Sequence, residues 1–239
     1  MNHYKEIQDI DFADGGYILL PQDESKQYPV VYMFHGIGGV QEWKNSTQGN
    51  IAARMENVVG NGGTQSILVM PKIRGCANLS EYAEADIEKL MVNGAWDQFF
   101  HYDVGGLIKY VNATYGRYVM TGKKNTAITG FSMGATAALY YAVKNRELFG
   151  SVGAVSVSSI TQGISKQKDF VLDNEKSAIH FIGYGTYEGS GFVTANQYCI
   201  DAFNKNNVAI TVKKNEGTGH SFATFNPLLS DFLGMIFKD

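Results

Sequence analysis

NTAITGFSMGATAALYYAVK, residues 125–144, is the stretch on which the reading of this chain turns. Asn125 to Phe131 reads as a short strand, and Gly134 to Leu148 reads as a helix that is apolar nearly all round, as a helix buried against a sheet centre should be. Ser132 falls at the joint, inside GFSMG. In a chain with 27 glycines a G-x-S-x-G match means little alone. A strand, a sharp turn and a helix around it give it meaning, because that arrangement lifts a serine Oγ clear of the sheet. Gly130, Gly134 and Ala135 supply the small residues that let strand and helix approach closely.

Working outward, short β-rich runs alternate with longer helical ones. YPVVYMF, QSILVMP, FGSVGAVSV, SAIHFIGYG and VAITVKKNE join NTAITGF as candidate strands, several of them apolar on both faces. Candidate helices lie around 48–60, 100–115, 133–148, 192–206 and 226–237, with Gly60 and Gly116 in stop positions. Strands without alternation, separated by helices, predict a mostly parallel sheet covered on both sides. Ile7 to Phe12 and Tyr17 to Leu20 flank Asp14-Gly15-Gly16 and predict an N-terminal antiparallel hairpin, within residues 1–24. Ligands of such sheets bind where loops leave the carboxyl ends of the strands. Residues 73–98 follow a strand end and read either as an insertion walling the site or as an irregular crossover.

At 239 residues the chain suits one domain, and no repeat, low-complexity tract or linker divides it. It is 44% hydrophobic and 18% charged with net charge −3, and no apolar run approaches the length of a membrane span. Its basic doublets, Lys123-Lys124 and Lys213-Lys214, stand alone, so no electrostatic footprint for nucleic acid is present. The first residues lack the basic start and apolar core of a signal peptide, which predicts either a cytoplasmic protein or one whose signal precedes this numbering. Cys76 and Cys199 make no disulfide framework, and the five histidines have no metal-binding spacing, so no metal site is expected.

A serine nucleophile needs a base, with the partners in the order Ser, then acid, then His. His220 in EGTGHSF follows the last candidate strand and fits that order. His180 lies inside an apolar strand and reads as a core residue, while His3 and His101 lack catalytic context. Glu188 in GTYEGSG is the first carboxylate after SAIHFIGYG and is the expected acid, with Asp173, Glu175, Asp201 and Glu216 as rivals. The oxyanion hole calls for backbone N–H groups from the residue after the nucleophile, Met133, and from a glycine-rich loop. HGIGG, residues 35–39, supplies that loop, with Ile37 as the second donor and Gly38 as its alternate. His35 reads as structural. Trp43, Trp96 and Tyr82 lie near the expected mouth, where an aromatic ring can stack on a phenolic acid or sugar or simply pack.

On YPVVYMFHGIGGVQEW, AITGFSMGATAALYYA, GYGTYEG and GTGHSF, the chain resembles α/β-hydrolases, and within them the esterase D-like group that includes carbohydrate esterase family 1, the feruloyl and acetylxylan esterases. The resemblance covers about residues 25–237 and implies a Ser132–His220–Glu188 triad. It departs at Ala135, where the elbow commonly runs on into a second glycine, and at Glu188, where many members carry aspartate. It implies hydrolysis through an acyl-enzyme without a cofactor, the substrate being ferulate or acetate esterified to a xylan-type polysaccharide or oligosaccharide; the partner expected is accordingly a small-molecule ester or an acylated polysaccharide. Other readings are a cytoplasmic small-ester or thioester hydrolase of the S-formylglutathione hydrolase kind, an acyltransferase, and a non-catalytic binding module. Oligomeric state is not legible.

Overall fold

The computed structural model describes residues 3–73, 100–158 and 178–238. Among them, eight strands form one sheet: β1 (Gln8–Ile10), β2 (Gly16–Leu19), β3 (Val30–Phe34), β4 (Ile67–Pro71), β5 (Thr126–Phe131), β6 (Ser151–Val155), β7 (Ile179–Gly185) and β8 (Thr211–Asn215). They lie in the order β1-β2-β4-β3-β5-β6-β7-β8. β1 pairs antiparallel with β2, and β2 with β4; every other pairing is parallel. The expected hairpin therefore forms and also extends the sheet as its antiparallel end. This is the α/β architecture expected from the sequence.

β3 shows why these strands lack polar alternation. Val30, Tyr32 and Phe34 enter the core on one side of the sheet, and Val31 and Met33 enter the core on the other. Every residue of β3, β4, β5 and β6 is buried. A strand covered on both faces is apolar along most of its length; the polar residues at the buried positions of β5 and β6 are small hydroxyl ones such as Thr129 and Ser151.

Five helices cover the sheet among the described residues: α1 (Ile51–Gly60), α2 (Val104–Tyr115), α3 (Met133–Lys144), α4 (Ser190–Lys205) and α5 (Phe222–Met235). Leu107, Val111, Leu139, Cys199 and Phe203 carry α2, α3 and α4 onto one face. Met55, Val58, Leu228 and Phe232 carry α1 and α5 onto the other. None of these helices is long and apolar enough to cross a membrane.

Helix boundaries differ from expectation at several points: α1 begins at Ile51 rather than near 48 and α2 at Val104 rather than near 100. α1 includes Gly60, and the glycine with positive φ, Gly62, lies beyond it. α3 ends at Lys144, where the Asn145 side chain and backbone N–H both donate to the Tyr141 carbonyl. α5 begins at Phe222 rather than near 226, with Pro227 inside it. Proline has no N–H to give to the Ala223 carbonyl one turn back. The Asn215 amide, at the end of β8, donates to that carbonyl at 3.1 Å instead. The same bond ties the end of β8 to the start of α5, the two supports of the intervening loop 216–221.

Candidate active site

Ser132 directly follows β5, the strand between β3 and β6 near the sheet centre, and precedes the first residue of α3. Its backbone is at φ 56, ψ −124, a conformation that non-glycine residues rarely adopt. Sharp turning is possible because Gly130 and Gly134 face each other. A Cβ on Gly130 would stand 2.4 Å from Gly134 backbone, and one on Gly134 would stand 2.2 Å from the Phe34 carbonyl oxygen. The Ser132 N–H is already committed to the Val155 carbonyl at 2.9 Å. The hydroxyl points instead to His220, whose Nε2 lies 3.0 Å from Ser132 Oγ.

His220 sits in the loop between β8 and α5. Buried Thr224, in the first turn of α5, donates to the Gly219 carbonyl at 2.5 Å. The imidazole is held between two rings: Phe192 of α4 stacks on it with centroids 3.8 Å apart, and Phe225 of α5 meets it edge-on at 4.9 Å. Its Nδ1 faces Glu188 Oε2 at 3.5 Å, a long contact. The Glu188 side chain is fully buried while that of His220 remains 28% exposed. Glu188 stands on a turn after β7 that is stitched to the histidine loop: Tyr187 N–H donates to the Thr218 carbonyl, and Gly217 N–H donates to Thr186 Oγ1. Glu188 and His220 thus stand on two segments tied directly to each other by hydrogen bonds.

Among the described residues, Glu188 is the carboxylate within hydrogen-bonding distance of His220. Asp201 lies on the outside of α4 with Gln197, and Glu216 is exposed; Asp173 and Glu175 lie outside the described residues. His180 is buried and stacks near Phe203. His3 pairs with Glu56 at 2.6 Å. Burial pushes the Cys199 thiol up to about 12, which keeps it protonated and inert. No group of three or more His, Cys, Asp or Glu that would hold a metal occurs among the described residues.

HGIGG follows β3 directly, against the elbow. His35 is 1% exposed and bridges two chain segments: its Nδ1 lies 2.7 Å from the Gly36 carbonyl and its Nε2 3.1 Å from the Ile73 N–H. Nε2 accepts and Nδ1–H donates, so the ring is the neutral tautomer; burial lowers its pKa in agreement. Ile37 is 62% exposed on the loop it was expected to serve. Met133 is buried at the start of α3. Gly38 is crowded by the Glu42 carboxylate.

Trp43 corrects an expectation. It is 1% exposed and meets Phe131 edge-on at 5.1 Å, so it offers no free face for stacking on a substrate. Its ring packs in the core instead. Trp96, Tyr82 and the stretch 73–98, apart from Ile73, lie outside the described residues. Phe192, Phe225 and Ser156, which meet the catalytic candidates directly, were not anticipated. Their only sequence signal is position at or after the carboxyl ends of strands.

A family model described as Putative esterase matches residues 14–180. Esterase Rv1288 of Mycobacterium tuberculosis is 28% identical over 188 residues, covering 76% of this chain and 37% of the relative. An endo-1,4-beta-xylanase/feruloyl esterase of Xylanibacter ruminicola is 22% identical over 229 residues, covering 93% of this chain and 28% of the relative. The chain thus spans only about a third of the curated relatives it matches. Among solved structures, the CE1 ferulic acid esterase AmCE1/Fae1A of Anaeromyces mucronatus superposes with a TM-score of 0.78 at 23% identity, over 98% of this chain and 91% of that one. That likeness shows the α/β-hydrolase fold.

Proposed function

Since the chain belongs to the putative esterase family, we propose that it hydrolyses carboxylic esters through Ser132, His220 and Glu188. The observation that carries this is the 3.0 Å approach of His220 Nε2 to the Oγ of a serine held at positive φ at the end of a central strand. Ser132 Oγ attacks the ester carbonyl and passes its proton to His220 Nε2. Glu188 orients the imidazole and stabilises its cation. The N–H groups of Met133 and Ile37, with Gly38 as alternate to Ile37, receive the developing oxyanion. Ser132 N–H is unavailable for that task, which favours the donor from the following residue. His220 returns the proton to the departing alcohol, and a water it then activates releases the acid and frees Ser132. No cofactor enters these steps. Residues 1–239 work as one hydrolase domain.

The substrate reading is ferulate or acetate esterified to a xylan-type polysaccharide or oligosaccharide. It is supported by the feruloyl esterase relative and by the aromatic wall that Phe192 adds beside His220. Initial rates on methyl ferulate, acetylated xylan, p-nitrophenyl acetate and a glutathione thioester test it, with wild type and Ser132→Ala side by side. Turnover of the first two that vanishes in the variant is the expected result. Turnover of the thioester alone would move the substrate to small cytoplasmic metabolites, and activity that survives Ser132→Ala would overturn the nucleophile.

A further inference from the structure

The Glu188 carboxylate divides its two oxygens between two tasks. Oε2 faces His220 at 3.5 Å, while Oε1 accepts from the Gly185 N–H at 3.1 Å and from the Ser156 hydroxyl at 2.5 Å. Ser156 is the first residue past β6, and the register aligns its predecessor Val155 with Phe131, the predecessor of Ser132. The two serines therefore occupy matching positions at the ends of adjacent strands. Ser156 is fully buried, and its own N–H is tied to the Gly183 carbonyl at 2.7 Å.

Its backbone is also unusual. Ser156 has φ +55, a region that glycine enters freely and serine seldom does. Non-glycine residues in such conformations concentrate where function over-determines them. In a chain that uses glycine 27 times, a side chain kept at a glycine-favouring position points to a task for the hydroxyl. A buried carboxylate needs donors, and a glutamate, with one more torsion than aspartate, needs them to hold one rotamer. Gly185 supplies one donor from the backbone of β7. Ser156 supplies the second from β6, so the carboxylate is gripped from two strands.

We propose that Ser156 is a positioning residue for the triad acid: its hydroxyl fixes Glu188 Oε1 so that Oε2 stays turned towards His220. This rests on the assignment of Glu188 to the triad. Ser156→Gly removes the hydroxyl while relieving the backbone, which separates chemistry from folding. Ser156→Ala serves as the second variant if the glycine loosens the strand end. The expected result is a fall in kcat of about 10- to 100-fold, the size of a lost hydrogen bond to a charged group, with KM within about twofold. The thermal midpoint of Ser156→Gly should stay within a few degrees of wild type.

The deciding measurement is a double-mutant cycle with Glu188→Gln. If Ser156 acts through Glu188, removing its hydroxyl from the Glu188→Gln enzyme costs less than about threefold. Equal losses in both backgrounds, or a fall in KM-controlled binding alone, would overturn the positioning role. So would near wild-type kcat in Ser156→Gly or Ser156→Ala while Glu188→Gln loses orders of magnitude, an outcome that leaves the triad standing. A loss below tenfold in Glu188→Gln itself would remove Glu188 from the triad and take this role with it.

Discussion

His35 shows what a single buried side chain does for this site. Its Nε2 must stay unprotonated to accept from the Ile73 N–H, and its Nδ1–H holds the Gly36 carbonyl next to the expected oxyanion donors. Burial is the main cause of its lowered pKa. In the unfolded chain the ring takes a proton near its ordinary value of about 6.5, whereas the folded protein refuses it until lower pH. Unfolded molecules thus bind more protons as pH falls below about 6.5, and stability falls with them; above that value the contribution is fully present. Replacing His35 with glutamine should lower the thermal midpoint at pH 7.5. The gap to wild type should shrink by pH 5.5, because only wild type then carries the protonation penalty. A gap that is constant across that range would rule out the neutral-tautomer role.

At the scale of elements, the elbow is constrained by backbone rather than by side chains. A methyl on Gly134 would meet the Phe34 and His35 carbonyl oxygens, groups that cannot swing aside, where α3 crosses the start of the HGIGG loop. Gly134→Ala should therefore cost about 1–3 kcal/mol in urea denaturation and depress turnover by displacing that loop. A variant with wild-type midpoint and rate would show that the crossing can relax. The element pattern was legible in the sequence where burial imposes it. β3 to β7 are apolar runs between turns, and α3 is apolar on all sides, since both lie at the middle of the stack. Boundaries were legible only where a local rule governs them. Pro227 signals a helix start by the local rule, but α5 begins five residues earlier because the Asn215 amide, from another element, serves the carbonyl that proline leaves unpaired.

The whole molecule brings together residues that no local pattern joins. Ser132, Glu188 and His220, the proposed triad, were visible as candidates because each follows a strand, in the chain order that the α/β-hydrolase fold uses. Ser156 and Phe192 were not, since a serine in VSVSS and a phenylalanine in a helix look ordinary until the sheet sets β6 beside β7 and α4 beside the histidine loop. Trp43 was legible as an aromatic near HGIGG but not as a buried one, because depth is decided by Phe131 and the helices around it.

The same stack leaves β8 at one end of the sheet among the described residues, with Val212, Lys213 and Lys214 all exposed. A bare strand edge is a template on which another chain can add. Lys213, paired with Asp231 at 2.9 Å, and Lys214 place two charges along it, so a second molecule that docked there would have to bury them. The basic doublet is thus expected to disfavour edge-to-edge association. Replacing both lysines with valine should leave initial ester turnover unchanged while making the protein associate as its concentration rises, which light scattering would detect. A monodisperse valine variant would show that the edge is protected by other means.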